Sequence, residues 1–195
     1  MSTDPRTDTR TDTRESILQA ARLVVQAHGY NVLSFRELAK EVGIKSASVH
    51  YHFPTKGDLA AALASRYVDE AVAFLDELRA SSADHGQRME AYTAIFRRAL
   101  ENDNRMCLCG ILSAEYRDLP DAVRVEVDRF TSVNTRWLAE VLAERHPRKN
   151  PLDLTSRALA IFAAIEGAQL VARGRGDVKV FDEIVSAYAA AGLFD

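Results

Sequence analysis

Three positions in residues 35–53 constrain the fold of this chain more than any other feature: Ala39, Gly43 and Val49. Two short helices can cross steeply only if a small residue lies where they approach and apolar side chains fill the crossing. Ala39 permits the approach, Gly43 supplies the unusual backbone angles of a turn, and Val49 packs into the shared core. This spacing predicts a helix-turn-helix, although other helical hairpins also place Ala and Gly in this way.

Helical periodicity continues along almost the whole chain, and no stretch shows the sustained period-two alternation of a strand. The sequence therefore predicts an all-α protein with three short helices followed by six mostly longer ones. We expect Ser34 and Glu37 to form a capping box at the start of the second helix. The predicted helices span about residues 13–27, 34–43, 45–52, 56–82, 86–102, 107–117, 121–146, 153–173 and 178–192.

Composition and the N-terminal segment narrow the class of protein. Residues 1–14 repeat an RTDT unit with almost no apolar side chains, which predicts a flexible tail over residues 1–13. A net charge of -3 argues against general coating of nucleic acid, but a local basic patch would hardly change that total. No signal-peptide core is found, and no run approaches the ~18 apolar residues that span a bilayer, so we expect a cytoplasmic protein without membrane contact.

The third predicted helix presents a surface that suits DNA. Its side chains outside the predicted core are small or hydrogen-bonding, and none is a carboxylate. Small residues near a helix N-terminus let the helix enter the major groove, where serine hydroxyls can contact base edges or phosphates. Arg36 and Lys56 would flank this surface as charge contacts. The outward residues are Ser46, Ala47, Ser48, His50, Tyr51 and His52.

Metal-binding and catalytic sites find little support. His50 and His52 are two residues apart, so on a helix their imidazoles point to opposite sides and cannot share one ion. The other histidines, at positions 28, 85 and 146, form no ligand cluster. The chain has no phosphate-binding glycine loop, H-E-x-x-H or nucleophile elbow, so we expect no metal, no cofactor and no enzymatic activity. A helical enzyme and a protein-interaction module are the distant alternatives.

Residues 14 to about 63 resemble the N-terminal domain of TetR-family transcriptional regulators. The segment SFRELAKEVGIKSASVHYHFPTKGDLAAAL follows the helix ESILQAARLVVQAHGY at the distance usual in that family. Its motif, A-x3-G-(I/V)-x4-(L/V)-(Y/H)-(Y/W/H)-H-F-x-x-K, is matched by Ala39, Gly43, Ile44, Val49, His50, Tyr51, His52, Phe53 and Lys56. His50 replaces the tyrosine that in the family usually packs on the sugar-phosphate backbone, so we expect this contact to differ.

The resemblance implies a function and a domain organisation. Residues 14–58 would form the DNA-binding domain, and residues 59–195 a ligand-binding and dimerisation domain. The chain would bind palindromic operators as a homodimer, through helices at about 153–173 and 178–192, and would act as a repressor released by an unknown small molecule. Arg36 and residues 46–48 would face base edges, and Tyr51, His52 and Lys56 would face phosphates. The implied DNA contacts are Arg36, Lys45, Ser46, Ala47, Ser48, His50, Tyr51, His52 and Lys56.

Polar residues that interrupt apolar helices suggest where a ligand would bind. Asn134 interrupts the apolar stripe of residues 121–146, and a buried amide needs a hydrogen-bond partner, either a neighbouring helix or a ligand. Together with the aromatic residues such groups would line a small-molecule site, although most of the aromatics must be ordinary core. The candidates are Tyr67, Phe74, Tyr92, Phe96, Cys107, Glu115, Tyr116, Phe130, Asn134, Trp137, Phe162, Glu166 and Gln169.

Cys107 and Cys109 allow two interpretations. They are too close on one element for an easy mutual disulfide. Exposed thiolates, with Arg105 lowering the thiol pKa, would make the protein a sensor of oxidants or electrophiles. Alternatively, the two cysteines are small apolar core residues beside Leu108 and Leu112.

Overall fold

The protein is described by a computed structural model that covers residues 5–81 and 83–195, with side chains from residue 12 onward. Within these ranges the chain forms nine α-helices, one 3-10 turn and no strand, which confirms the all-α prediction. The helices are α1 (Pro5–His28), α2 (Phe35–Val42), α3 (Ser46–His52), α4 (Lys56–Ala80), α5 (His85–Glu101), α6 (Leu108–Ala114), α7 (Asp121–Arg145), α8 (Pro151–Arg175) and α9 (Val178–Ala190). The 3-10 turn, Tyr116–Asp118, follows α6.

The first helix begins earlier than the sequence predicted. α1 starts at Pro5, inside the range assigned to a flexible tail, and residues 1–4 lie outside the described residues. A proline without an N–H fits the first turn of a helix, and no Gly or Pro interrupts the chain between Pro5 and His28. These two properties allow the helix to extend through the polar repeat.

Two further local predictions were wrong. Ser34 precedes α2, but its hydroxyl makes no capping hydrogen bond, and Glu37 instead accepts a hydrogen bond from Lys40 Nζ at 2.9 Å. The helix predicted over residues 107–117 ends at Ala114. Glu115 follows it with its side chain bonded to the backbone of Tyr30 at 2.5 Å, and the chain continues as the 3-10 turn. At the start of α2 and at the end of α6, a side-chain hydrogen bond to another residue is found instead of the predicted helix terminus.

The helices enclose two apolar cores that share α4. The N-terminal core joins α1, α2 and α3 to the first half of α4, and it also contains side chains from α6 and α7 such as Leu108 and Val123. It therefore includes residues beyond position 58. The second core contains Val68 and Leu75 from the later part of α4, together with side chains of α5, α7, α8 and α9. A single long helix thus belongs to both packing units.

α8 departs from the prediction that no run is apolar enough to span a bilayer. By length and composition alone it passes that test, because apolar residues, mainly Ala, Leu and Ile, separate its few charges. In the fold it packs against α5, α7 and α9, and its residues Ile161 and Ile165 are fully buried. One side of α8 therefore belongs to the core, while its other side carries exposed apolar residues such as Leu159 and Leu170.

Gly43 ends α2 with φ = 75°, in the left-handed region, as the turn predicted from the sequence requires. Its N–H bonds to the carbonyls of Ala39 and Lys40. A Cβ at this position would contact nothing within 4 Å, so a side chain here would cost conformational energy without a steric clash.

We expect Gly43→Ala to lower the free energy of unfolding by about 1 kcal/mol, the cost of a left-handed alanine. Gly174→Ala is the matched control, because Gly174 lies inside α8 and its added Cβ would also meet nothing. That control should be neutral or slightly stabilising. Urea unfolding of both variants at one protein concentration measures the difference, and equal effects at the two positions would contradict the role assigned to Gly43.

Candidate DNA-binding surface and C-terminal cavities

α3 has one buried side and one exposed side, as the sequence pattern predicted. Val49 is fully buried and Phe53 is 2% exposed, and both belong to the N-terminal core with Leu38 and Ala39. Burial of these residues fixes α3 against α1 and α2. The opposite side of α3 is thereby directed to solvent.

The predicted DNA contacts share this outward surface. Between Gly43 and Gly57 the chain contains no carboxylate. The nearby acidic side chain of Glu37, on α2, is paired with Lys40. Arg36, Lys45, Ser46, Ala47, His50 and Tyr51 are exposed, and Ser48, His52 and Lys56 are half-buried.

His50 and Lys56 make contacts that the sequence did not predict. The His50 ring meets the edge of Phe35 with 4.7 Å between ring centroids, so the residue at the usual tyrosine position also packs on α2. Lys56 Nζ donates to the carbonyl of Asn31 at 3.0 Å and lies 4.3 Å from the centroid of the Tyr30 ring. Lys56 therefore joins the start of α4 to the loop between α1 and α2. These contacts join residues distant in sequence, and no local pattern indicates them.

A first cavity of about 170 Å³ lies among α1, α4, α5, α7 and α8. Asn134 and Gln169, the polar residues predicted to orient a ligand, already have protein partners there. Asn134 accepts a hydrogen bond from the Tyr92 hydroxyl at 2.9 Å, and Gln169 accepts one from the Cys107 amide at 2.9 Å. The predicted residues that line this cavity are Tyr67, Phe74, Phe96, Cys107, Phe130, Asn134 and Gln169.

A second cavity of about 280 Å³ lies among α6, α7 and α8, and we refer to it as the Glu166 cavity. Phe130 lines both cavities, so they are neighbours. Of the predicted ligand residues, Phe162 and Glu166 lie only in this second cavity. Its lining is Met106, Cys109, Gly110, Ser113, Phe130, Thr131, Phe162, Glu166, Gly167 and Leu170.

Four predicted ligand residues line neither cavity. Tyr92 is fully buried and stacks on Trp137 with 5.2 Å between ring centroids, and Trp137 donates from Nε1 to the carbonyl of Leu75. Both are core residues. Glu115 and Tyr116 lie on the side of the DNA-binding domain, where Glu115 binds the Tyr30 amide and Tyr116 is 54% exposed. Neither residue lines the two cavities, because Glu115 points towards the end of α1 and Tyr116 towards solvent, so a ligand contact at these positions stays a prediction.

The fold agrees with comparisons to known proteins. Residues 17–63 match the family described as "Bacterial regulatory proteins, tetR family". A TetR-family transcriptional regulator from Agrobacterium tumefaciens is 31% identical, with a TM-score of 0.83, and the alignment covers 90% of this chain and 94% of that one. This chain belongs to the TetR family of transcriptional regulators.

Two further relatives support the assignment. A TetR transcriptional regulator from Legionella pneumophila is 29% identical with a TM-score of 0.85, and the alignment covers 91% of this chain and 96% of that one. The HTH-type transcriptional activator FasR from Mycolicibacterium smegmatis is 28% identical over 89 residues, which are 46% of this chain. The aligned part spans only 41% of that relative's length.

In this TetR-family chain a junction connects α1 to the C-terminal helices, and sequence reasoning missed it. Gln26 and Met106 exchange two hydrogen bonds: the Met106 amide donates to the Gln26 carbonyl at 3.1 Å, and Gln26 Nε2 donates to the Met106 carbonyl at 2.9 Å. Arg173 of α8 donates to the carbonyls of Gln26 and Ala27 at 2.9 and 2.6 Å. Gln26 is 6% exposed, and a polar residue on the buried side of α1 is the one signal that the sequence offered.

The cysteines are placed as core residues. Cys107 is 2% exposed and Cys109 is 1% exposed, and burial raises the pKa of both thiols. Arg105 does not offset this rise, because its guanidinium donates to the carbonyls of Leu23 and Asn102. Neither side chain is therefore an accessible thiolate at neutral pH.

Glu166 is the one carboxylate in the Glu166 cavity. Both of its oxygens are buried without a nitrogen or oxygen donor among the described residues, and the weakly donating Cys107 thiol lies beside them. Burial raises the pKa of Glu166 to about 7, and the adjacent Cys107 thiol offsets part of that rise. Among the side chains described by the structure, no three His, Cys, Asp or Glu residues come together as a metal site.

The pKa of Glu166 predicts a pH dependence of stability. Between about pH 4.5 and pH 7 the unfolded chain releases the Glu166 proton while the folded chain keeps it, so stability falls as the pH rises. We expect Glu166→Gln to remove this loss and to be more stable than the wild type above pH 7, by on the order of 3 kcal/mol. Urea unfolding across this range, with the partly exposed Glu70→Gln as control, measures the effect; parallel curves for the wild type and Glu166→Gln would contradict it.

Proposed function

We propose that this regulator binds a palindromic operator as a homodimer through α3 and is a repressor released when a small molecule occupies its C-terminal domain. The observation that carries the proposal is the two-sided character of α3. Val49 and Phe53 are buried on one side, while the other presents small, polar and basic groups without a carboxylate. Such a surface matches both the phosphate backbone and the base edges of the major groove.

The proposed DNA contacts divide by chemistry. Ser46, Ala47 and Ser48 form the first turn of α3, where small side chains allow close approach to base edges. Arg36 on α2 is exposed beside them and carries the fork of donors that suits guanine. The residues proposed for phosphate contact are Lys45, Tyr51, His52 and Lys56, and His50 is proposed to contact the backbone at the usual tyrosine position.

The proposed dimer interface is the outer side of α8 with α9. Large apolar side chains on α8 are exposed in the single chain, with Leu152 at 74%, Leu159 at 50%, Leu170 at 58% and Val171 at 49%. Spacings of seven and eleven residues place the first three on one stripe of the helix. A second copy of the chain is the partner that fits, because a two-fold interface pairs the same stripe with itself.

The junction at Gln26 and Met106 supports coupling between ligand and DNA. Met106 lines the Glu166 cavity, and its peptide groups bond to α1 of the DNA-binding domain. A ligand that moves the chain at Met106 must therefore disturb α1. The buried thiols favour this route over the alternative of oxidant or electrophile sensing through Cys107 and Cys109. No catalytic step is part of the proposal, and a cytoplasmic location, where the operator DNA lies, is part of it.

The test is fluorescence anisotropy with palindromes taken from the DNA beside the protein's own gene. Two chains of the wild-type protein should bind each palindrome, and their affinity should fall steeply as the salt concentration rises. Lys45→Ala should weaken binding to all DNA sequences and reduce the slope of log affinity against log salt concentration by about one. Arg36→Ala should reduce the free energy of operator binding by ~1–3 kcal/mol and relax the preference for particular bases. Lys149→Ala, an exposed lysine between α7 and α8, is the control. Absence of salt-dependent, sequence-selective binding would contradict the proposal.

A further inference from the structure

The Glu166 cavity contains a charged group without a counterpart. Both Glu166 oxygens are buried, no nitrogen or oxygen donor among the described residues bonds to them, and the Cys107 thiol beside them is only a weak donor. A buried carboxylate in that state costs substantial free energy. Retaining such a group is understandable if a bound molecule supplies the missing partner.

Gly110 makes room for this carboxylate. It lies across from Glu166 on α6, and a Cβ at position 110 would clash with Glu166 Oε2. The glutamate therefore reaches α6 only because the residue there has no side chain. The carboxylate is held between α6 and α8 against Gly110, just behind the cavity surface that Glu166 helps to line. A ligand reaches it through a small rotation of the Glu166 side chain.

The rest of the lining offers no strong hydrogen-bond donor. It contains no Lys, Arg, His, Asn or Gln side chain. The hydroxyls of Ser113 and Thr131 donate to the carbonyls of Cys109 and Val127, at 2.7 and 3.3 Å, so towards the cavity they offer acceptor oxygens. A ligand that interacts well with these groups must bring its own donors.

Two phenylalanine rings in the lining also favour a cation as the ligand. Phe130 and Phe162 both line the cavity, with 6.0 Å between their ring centroids. The faces of such rings attract cations, whereas an anion would meet the carboxylate and the ring faces without a compensating donor. The volume of about 280 Å³ limits the ligand to a small molecule.

We propose that the Glu166 cavity binds a small organic cation, a protonated amine or amidine with an apolar group, whose nitrogen donates to the Glu166 carboxylate while the apolar group packs on Phe130 and Phe162. The claim that this cation is the effector rests on the proposed function. The claim that the cavity binds such a cation does not depend on it. Met106 lines the same cavity and bonds to Gln26, so the cation would lie beside the junction to the DNA-binding domain.

Isothermal titration calorimetry without DNA tests the site with three probes of similar shape: 2-phenylethylamine, 2-phenylethanol and 3-phenylpropanoate. At about pH 8 the carboxylate is ionised and the amine is largely protonated. We expect the amine to bind the wild type at least tenfold more tightly than the alcohol, and the propanoate not to bind, because a charge-assisted hydrogen bond is roughly twice as strong as a neutral one. Glu166→Gln should reduce amine binding to the level of the alcohol.

Two control variants distinguish an effect on the Glu166 cavity from a general effect on folding. Glu70→Gln removes a carboxylate that lines the first cavity and should leave amine binding unchanged. Gly167→Leu adds volume at a position where a Cβ meets nothing within 4 Å, and it should block amine and alcohol alike in a folded protein. The proposal would be overturned if the wild type and Glu166→Gln bound the amine equally, or if the propanoate bound more tightly than the amine. It would also be overturned if the wild type showed no saturable amine binding up to millimolar concentrations.

The outcome is independent of the DNA-binding result. Amine binding that depends on Glu166 in a protein that binds no operator would support the site and overturn its role as an effector site. Operator binding without amine binding would support the regulator and overturn the cation site. If both occur, addition of the amine to the operator complex should lower its anisotropy in the wild type but not in Glu166→Gln.

Discussion

The pair of hydrogen bonds between Gln26 and Met106 ties the end of α1 to the C-terminal part of this protein. Gln26 lies near the end of α1, the helix that supports α2 and α3, and Met106 lies just before α6, against the Glu166 cavity. Arg173 adds two hydrogen bonds to the last carbonyls of α1, groups that have no partner within the helix. Because these bonds are buried or partly buried, breaking them leaves polar groups unsatisfied, and α1 follows the segment around Met106.

The shared apolar core has the same consequence. Leu59 and Leu63 of α4 belong to the same apolar core as α1 and α3, and Val68 and Leu75 of the same helix belong to the core formed with α5 and α7. Leu108 and Leu112 of α6 also lie in the N-terminal core. The DNA-binding domain is therefore not an independent unit attached by a linker. A change in the position of α6 or α4 reaches α3 through α1 and the shared core.

Local chemistry explains what the sequence could predict. The left-handed turn at Gly43, the burial of Val49 and the breaks around Pro120 and Gly176 follow from properties of neighbouring residues, so helix order and the surface of α3 were predicted well. Contacts between distant segments were not predictable in this way. Glu115 binds the Tyr30 amide and Lys56 binds the Asn31 carbonyl across separations of 85 and 25 residues, and no periodicity indicates such pairs.

The cavities show the same division. A polar residue inside an apolar helix is recognisable from sequence, so Asn134, Glu166 and Gln169 were identified as groups that need partners. Which of them already has a strong partner depends on tertiary packing: Tyr92 satisfies Asn134 and the Cys107 amide satisfies Gln169, while Glu166 has only the weakly donating Cys107 thiol beside it. Only the structure distinguishes the two satisfied amides from this carboxylate.

The coupling of α3 to the Glu166 cavity is tested most directly by hydrogen–deuterium exchange of the protein, free and bound to its operator. Coupling between two sites is reciprocal, so operator binding at α3 must change the environment of the cavity if a ligand in the cavity changes operator affinity. We predict altered exchange at the amides of Met106 and Cys107, which donate to Gln26 and Gln169, in addition to protection of residues 35–56. Changes confined to residues 35–56, with unaltered exchange at residues 105–110, would contradict the account.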